Sequence, residues 1–321
     1  TGNLLGGRDI LLQEIPANIA GKSRYHDKHR HHAARHFWHK SLNREFIFRL
    51  GQNRVDALFI GINKRFGIQP HHFAIIANKT NEHLYAIKFL INKKINIYCE
   101  KPIYFKKFNF KNIKKLIVKN KINFFMGYQL LNDSKVEYVK KKLKKHKAKS
   151  FQVSVGHNFE KWRKNGVRKD SYFSRKSMGG GVIFELIHEI SLISDLFGKI
   201  LKIKTIKSNS TLYKCEDVAV SIMETKKKLI GTLYQDMFSD TFFRHITIVT
   251  KNKLFKIDFK TNKVEENQKV IKFKNSNKQK DLLMKNILKF IQHIKKPKIS
   301  TLSYDKAIND LNICLKMHEK F

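Results

Sequence analysis

Apolar and polar positions follow two different rhythms along this chain, and the change falls near Ser150. Between Phe73 and Lys147, short continuous apolar runs alternate with segments of helical period. The runs at 73–77 (FAIIA), 95–99 (INIYC) and 122–127 (INFFMG) have the length and composition of strands buried on both faces, as in a parallel sheet. Segments 82–94, 109–120 and 133–147 predict helices between and after them, the first capped by Thr80 or Asn81. Strands alternating with helices predict a doubly wound parallel sheet, which binds ligands beyond the carboxyl ends of its strands. Asn78, Thr80, Lys101 and the pair Tyr128-Gln129 all stand at such ends.

After Ser150 the helices drop out. Phe151 to Phe159 alternates, and the runs 200–207, 217–224, 228–236, 244–250, 253–259 and 269–274 read as strands joined by short connections. Consecutive strands without intervening helices predict an antiparallel sheet. Helices 278–295 and 304–319, separated at Lys296-Pro297, close the chain. The expected organisation is an α/β nucleotide-binding domain over residues 1–123, then an α+β domain over 124–321 with a large open, mainly antiparallel sheet.

One stretch breaks the second rhythm. Gly179 to Gly181 open a run to Gly198 that is apolar around the whole helical circumference, which marks a buried helix. Within it Glu185, His188, Ser191 and Asp195 recur at spacings of three, three and four, placing them on one stripe. Polar groups on a buried helix are costly unless they are bonded or face a wet cleft. Two readings follow: a core histidine satisfied by Glu185, or a site carrying an imidazole and a carboxylate.

The first 72 residues differ in composition. They hold 8 arginines and 4 lysines, against 4 and 50 in residues 73–321, and 8 of the 15 histidines. A strand running into G-x-G-x-x-G belongs here in a dinucleotide-binding fold, and the segment lacks it. Residues 57–60 read as a strand ending at Gly61, but Ile62 to Gly67 do not complete the fingerprint. His32 and His36 are spaced i, i+4 as zinc ligands can be, without an acid or thiolate fixed beside them, so no metal is expected.

The net charge of +40 raises nucleic acid or an anionic membrane as partners. Lysine, asparagine, isoleucine and phenylalanine are enriched together, which is the mark of AT-rich coding, and no nucleic-acid module accompanies the charge. No specific nucleic acid and no membrane partner are therefore expected. No apolar run reaches the ~20 residues of a membrane span, no leader pattern opens the chain, and three scattered cysteines suggest neither a disulfide framework nor a metal knuckle. The cytoplasm is the expected compartment.

Cys99-Glu100-Lys101-Pro102 at a strand end, followed by the glycine-led helix with His188, resembles the glucose–fructose oxidoreductase, inositol dehydrogenase and rhizopine-catabolism (Gfo/Idh/MocA) family over about residues 73–321. The resemblance implies a Rossmann-like first domain, NAD or NADP as cofactor, and hydride transfer at a hydroxyl carbon of a sugar or nucleotide-sugar, as in bacterial surface-polysaccharide synthesis. It implies Lys101 and His188 as catalytic groups with Glu185 tuning the histidine. It further implies Ala77, Asn78, Thr80, His83, Glu100, Lys101 and Gln129 around the cofactor, and Tyr128, Trp162, Arg163, Arg168, Tyr172 and Arg175 around the substrate. A homodimer or homotetramer formed through the open sheet is implied as well. The chain departs from the family at Ser191, where an aspartate is common, and at Gly127-Tyr128-Gln129-Leu130, which lacks an arginine. With the fingerprint absent, a non-catalytic relative that has lost its cofactor is the alternative, and a basic nucleic-acid-binding protein is a third.

Overall fold

The computed structural model describes the strands Phe46–Leu50 and Val55–Ile60 as backbone, and residues 73–159, 172–209, 214–273, 279–295 and 299–319. Trp162, Arg163 and Arg168, the histidine pair His32 and His36, and the glycines of residues 1–7 lie outside the described residues.

The first sheet has the order β1 (Phe46–Leu50), β2 (Val55–Ile60), β3 (Phe73–Ile76), β4 (Asn96–Cys99), β5 (Phe124–Met126). Strands β3, β4 and β5 run parallel, joined through α1 (His83–Asn92) and α2 (Phe110–Lys119). The parallel sheet is thus present, but only over these three strands. β1 and β2 pair antiparallel, and so do β2 and β3. Four residues separate β1 from β2, too few for the crossover that a parallel pair needs. The two described strands of the first 72 residues therefore do not pair in the parallel manner expected of a nucleotide-binding half. Because β5 belongs to this sheet, the sheet also runs past the boundary drawn after residue 123.

All four residues of β3 are buried, as the unbroken apolar run required. Ala74 and Ile76 face α1, with Leu84, Ile87, Leu90 and Ile91. Phe73, Ile75 and Tyr98 face the opposite way onto Ile287, Phe290 and Ile294. The expected Thr80 or Asn81 cap is not made: a 3-10 turn over Thr80–Glu82 leads into α1 without a side-chain bond. By contrast α3 (Ser134–Lys145) has its cap, the Asp133 carboxylate accepting from the Lys135 N–H at 2.8 Å.

The second sheet is built from β6 (Ala148–Gly156), β7 (Ile200–Ser208), β8 (Val218–Thr225), β9 (Ile230–Asp236), β10 (Phe243–Thr250), β11 (Leu254–Asp258), β12 (Lys263–Glu266) and β13 (Lys269–Lys272). Its order is β13-β12-β11-β10-β6-β9-β8-β7, antiparallel throughout except for β6 beside β9. β12 escaped the sequence pattern, since only Val264 of its KVEE is buried. The inner face carries the glycine-led run, which forms two helices, α4 (Val182–Glu185) and α5 (His188–Phe197). Phe197 stacks on Phe151 of β6 at 4.2 Å, and full burial of such a side chain stabilises by about 1.5–3 kcal/mol. Two closing helices, α6 (Gln279–Ile294) and α7 (Leu302–Met317), return to the first sheet. α6 covers its Phe73–Tyr98 face, and Tyr304 of α7 meets Phe124 edge-on at 5.1 Å. The chain's end thereby ties the two sheets together.

Candidate active site

The glycine turn is fixed by space. A Cβ on Gly180 would lie 2.3 Å from the Phe173 carbonyl oxygen, and Gly181 has φ +109° with Glu216 Oε1 2.1 Å from where its Cβ would be. Both positions exclude other residues. The turn passes the chain into α4, whose first N–H, on Val182, donates to the Glu216 carbonyl at 3.0 Å.

The run from Val182 to Phe197 is interrupted at Leu186-Ile187, although neither residue is a helix breaker. The Glu189 N–H donates to Leu186 O at 3.3 Å, an i to i−3 bond, which leaves the Glu185 carbonyl outside the helical ladder. Both carbonyls at the break take side-chain donors from elsewhere. Lys101 Nζ donates to Glu185 O at 2.6 Å, from the loop after β4, and Gln235 Nε2 of β9 donates to Leu186 O at 3.0 Å. The break thus becomes the point where first sheet, helix and second sheet meet, and His188 begins the next helix directly after it.

This geometry reassigns the polar stripe. Glu185 lies with its carboxylate 3.9 Å from Lys101 Nζ, on the lysine rather than on the histidine. Ser191 is buried, its carbonyl accepting from Lys306 Nζ at 3.0 Å. Asp195 reaches the surface and pairs with Lys140 at 2.8 Å. Of the stripe, Glu185 meets Lys101 and His188 meets Tyr128, Ser191 stays buried one turn beyond His188 on the same helix, and Asp195 turns to the surface.

His188 is buried, with its ring edge-on to Tyr128 at 6.3 Å and 73°. Its Nδ1 has no hydrogen-bond partner among the described residues. Burial, reinforced by the positive charges of Lys101 and Arg244, holds the imidazole well below its ordinary pKa. At neutral pH it is therefore an uncharged ring able to accept a proton. Tyr128 carries Lys306 Nζ 5.6 Å above its ring, and burial with nearby Asp310 pushes its phenol upward, keeping it neutral.

The residues expected around a cofactor fall into three groups. Asn78, at the end of β3, is buried with both atoms of its amide unpartnered among the described residues. Thr80 packs beneath Gly179, and Gln129 is partly exposed in the turn after β5. Ala77 packs towards α6, and the Glu100 carboxylate lies against Tyr98 and the Cα of Gly127. His83 is corrected: it is 1% exposed, with Nδ1 2.8 Å from Pro102 O and Nε2 3.2 Å from Asn78 O. Its ring braces the loops after β3 and β4 against each other and is closed to a ligand.

Of the expected substrate residues, Tyr128 and Tyr172 are buried beside the glycine turn and helices, while Arg175 is exposed and bridges to Lys214 through its backbone. The sequence reading missed Gln235, Glu189 and Arg244. Arg244 alone had a signal: it is one of only 4 arginines among the cations of residues 73–321.

Asn78, Lys101 and Gln129 fit the nicotinamide end of a dinucleotide. Among the described residues no group of three or more metal-ligating side chains is found.

No family model matches the sequence, and no curated protein matches it. Solved structures do match in fold. UDP-N-acetylglucosamine 3-dehydrogenase GnnA from Acidithiobacillus ferrooxidans superposes with a TM-score of 0.63 at 14% identity, over 75% of this chain and 76% of its own. Myo-inositol 2-dehydrogenase from Lactobacillus plantarum gives 0.63 at 17%, over 76% of each chain. Levoglucosan dehydrogenase, solved with NADH, gives 0.66 at 11%, over 76% of each. From β3 onward, the chain has the two-part fold of the Gfo/Idh/MocA-type oxidoreductases.

Proposed function

We propose that the protein is an NAD(P)-dependent oxidoreductase that moves a hydride between nicotinamide and a hydroxyl carbon of a sugar or nucleotide-sugar. The observation that carries this reading is the junction at the helix break, where Lys101 from the loop after β4 meets Glu185 of α4 beside His188 of α5. Alcohol oxidation needs a base at the hydroxyl and a donor for the developing alkoxide. Neutral His188 supplies the first and Lys101, held at 2.6 Å by Glu185 O, the second. A bound nicotinamide would supply the hydride acceptor, with Asn78 and Gln129 holding its ring end. Residues up to the β5 strand serve the nucleotide and the remainder the substrate. Fold neighbours that act on sugars support the substrate class. The three buried, unpaired cysteines suit a cytoplasmic setting.

Titration of the purified protein with NADH and NADPH, followed by nicotinamide fluorescence, tests the reading. Micromolar binding of either is expected. Absence of both leaves a non-catalytic protein on the same fold.

The free face of the second sheet carries Ile206, Val220, Ile222, Ile230 and Tyr234, all exposed. Ile206, Val220 and Tyr234 lie side by side across β7, β8 and β9. A contiguous apolar patch of this kind is an association surface, and we assign it to a homodimer or homotetramer. Light scattering after size exclusion is expected to show an oligomer, and Ile222→Glu a monomer. A monomeric parent protein removes the assignment.

A further inference from the structure

Arg244 is not used by the chemistry above. It stands on β10 opposite Val155 of β6, on the inner face that carries the helices. Its Nε lies 2.6 Å from Oε1 of Glu189, a fully buried carboxylate next in sequence to His188. The guanidinium carbon lies 5.6 Å above the Phe242 ring. The side chain keeps 15% of its surface accessible, while Glu189 keeps none. No other hydrogen-bond or ion-pair partner of this guanidinium occurs among the described residues. Through Glu189 it stands beside the first turn of α5, which His188 begins, and its positive field reaches both His188 and His157.

A guanidinium presents five N–H donors in a rigid fork. Glu189 stands in ion-pair contact on the Nε side, and the two terminal nitrogens have no partner among the described residues. Those nitrogens match the two oxygens of a carboxylate or phosphate. A lysine would neutralise Glu189 equally well, and residues 73–321 use lysine for 50 of their 54 cationic side chains. Arginine here supplies what lysine lacks, a pinned planar edge.

We infer that Arg244 anchors an anionic substituent, a carboxylate or a phosphate, of the sugar that occupies the Lys101–His188 crevice, with Glu189 as its positioning residue. The inference rests on the proposed function for the word sugar, and on geometry for the anion.

Calorimetric titration of the full-length protein at 150 mM salt with glucuronate, glucose 6-phosphate and glucose tests it. The wild type is expected to bind at least one anionic sugar tenfold or more tighter than glucose, and the better of the two identifies the group. Removing the guanidinium alone strands a buried carboxylate, so the neutral pair Glu189→Gln/Arg244→Gln is measured beside Arg244→Lys. In the neutral pair the preference is expected to fall to within twofold, and in Arg244→Lys to weaken, with unchanged NADH affinity in both. A wild type without preference overturns the inference. A preference that survives in the neutral pair does so too, because the general positive charge of the chain then explains it. If NADH fails to bind while the preference still depends on Arg244, the anion site stands and the oxidoreductase reading falls.

Discussion

Turnover by His188→Ala is expected to fall by about 10²–10⁴-fold, the usual contribution of a positioned general base, while NADH affinity stays within threefold of the parent. The split follows from the geometry. His188 sits at the start of α5, buried, with its Nδ1 unpartnered among the described residues, so its loss removes a proton acceptor and leaves the ends of β3 and β4 as they were. Lys101→Ala is expected to lower turnover to a similar extent, and also to loosen the helix break, since Glu185 O loses its 2.6 Å donor. The depressed basicity of His188 carries a pH signature: oxidation persists as pH falls below 6.5, where an ordinary imidazole would already be charged. Stopped-flow absorbance at the nicotinamide band reads both effects. An alanine variant with parental turnover would remove His188 from the mechanism.

Glu216→Gln is expected to stabilise the protein by about 2–3 kcal/mol at pH 8 and by almost nothing near pH 4.5. Glu216 lies buried at the glycine turn, and burial raises its carboxyl from 4.5 to about 7. The folded state therefore holds the proton more tightly than the unfolded chain. As pH rises from about 4.5 to about 7, the unfolded state ionises first and stability is lost; above 7 the cost is constant. Glutamine removes that cost and keeps an oxygen for the Ile183 N–H, which bonds the carboxylate in the parent. His318, 3.6 Å away, does not reverse the sign, because burial lowers it to about 4 and it is neutral across this window. Urea unfolding at pH 4.5, 6 and 8 measures the difference. A gain independent of pH would show that packing against Gly181, and not ionisation, governs the position.

Much of the fold was legible because burial leaves a period in the sequence. The run FAII marks a strand covered on both faces, and the helical segments at 110–119, 134–145 and 302–317 fall within two residues of their expected ends. β12 was hidden because a strand with one buried residue of four has no period to read. The antiparallel start of the first sheet was hidden for another reason. Strand direction depends on which neighbour a segment meets, and apolar residues 57–60 pair equally well either way.

The site divides along the same line. Sequence by itself singled out the candidate groups: a lysine closing a strand, three glycines where no Cβ fits, and a histidine on an apolar helix. Each is a local requirement of sterics or solvation, so each leaves its mark in the residue type. Only the tertiary structure decided how those groups are used. The break at Leu186-Ile187 has no breaker residue; there Lys101 and Gln235, 84 and 49 residues distant in sequence, donate to the Glu185 and Leu186 carbonyls. Glu185 goes to the lysine, His83 becomes a brace, and Arg244 arrives from β10. A hydrogen bond fixes where two groups meet, whereas sequence spacing within one helix fixes only which face they share.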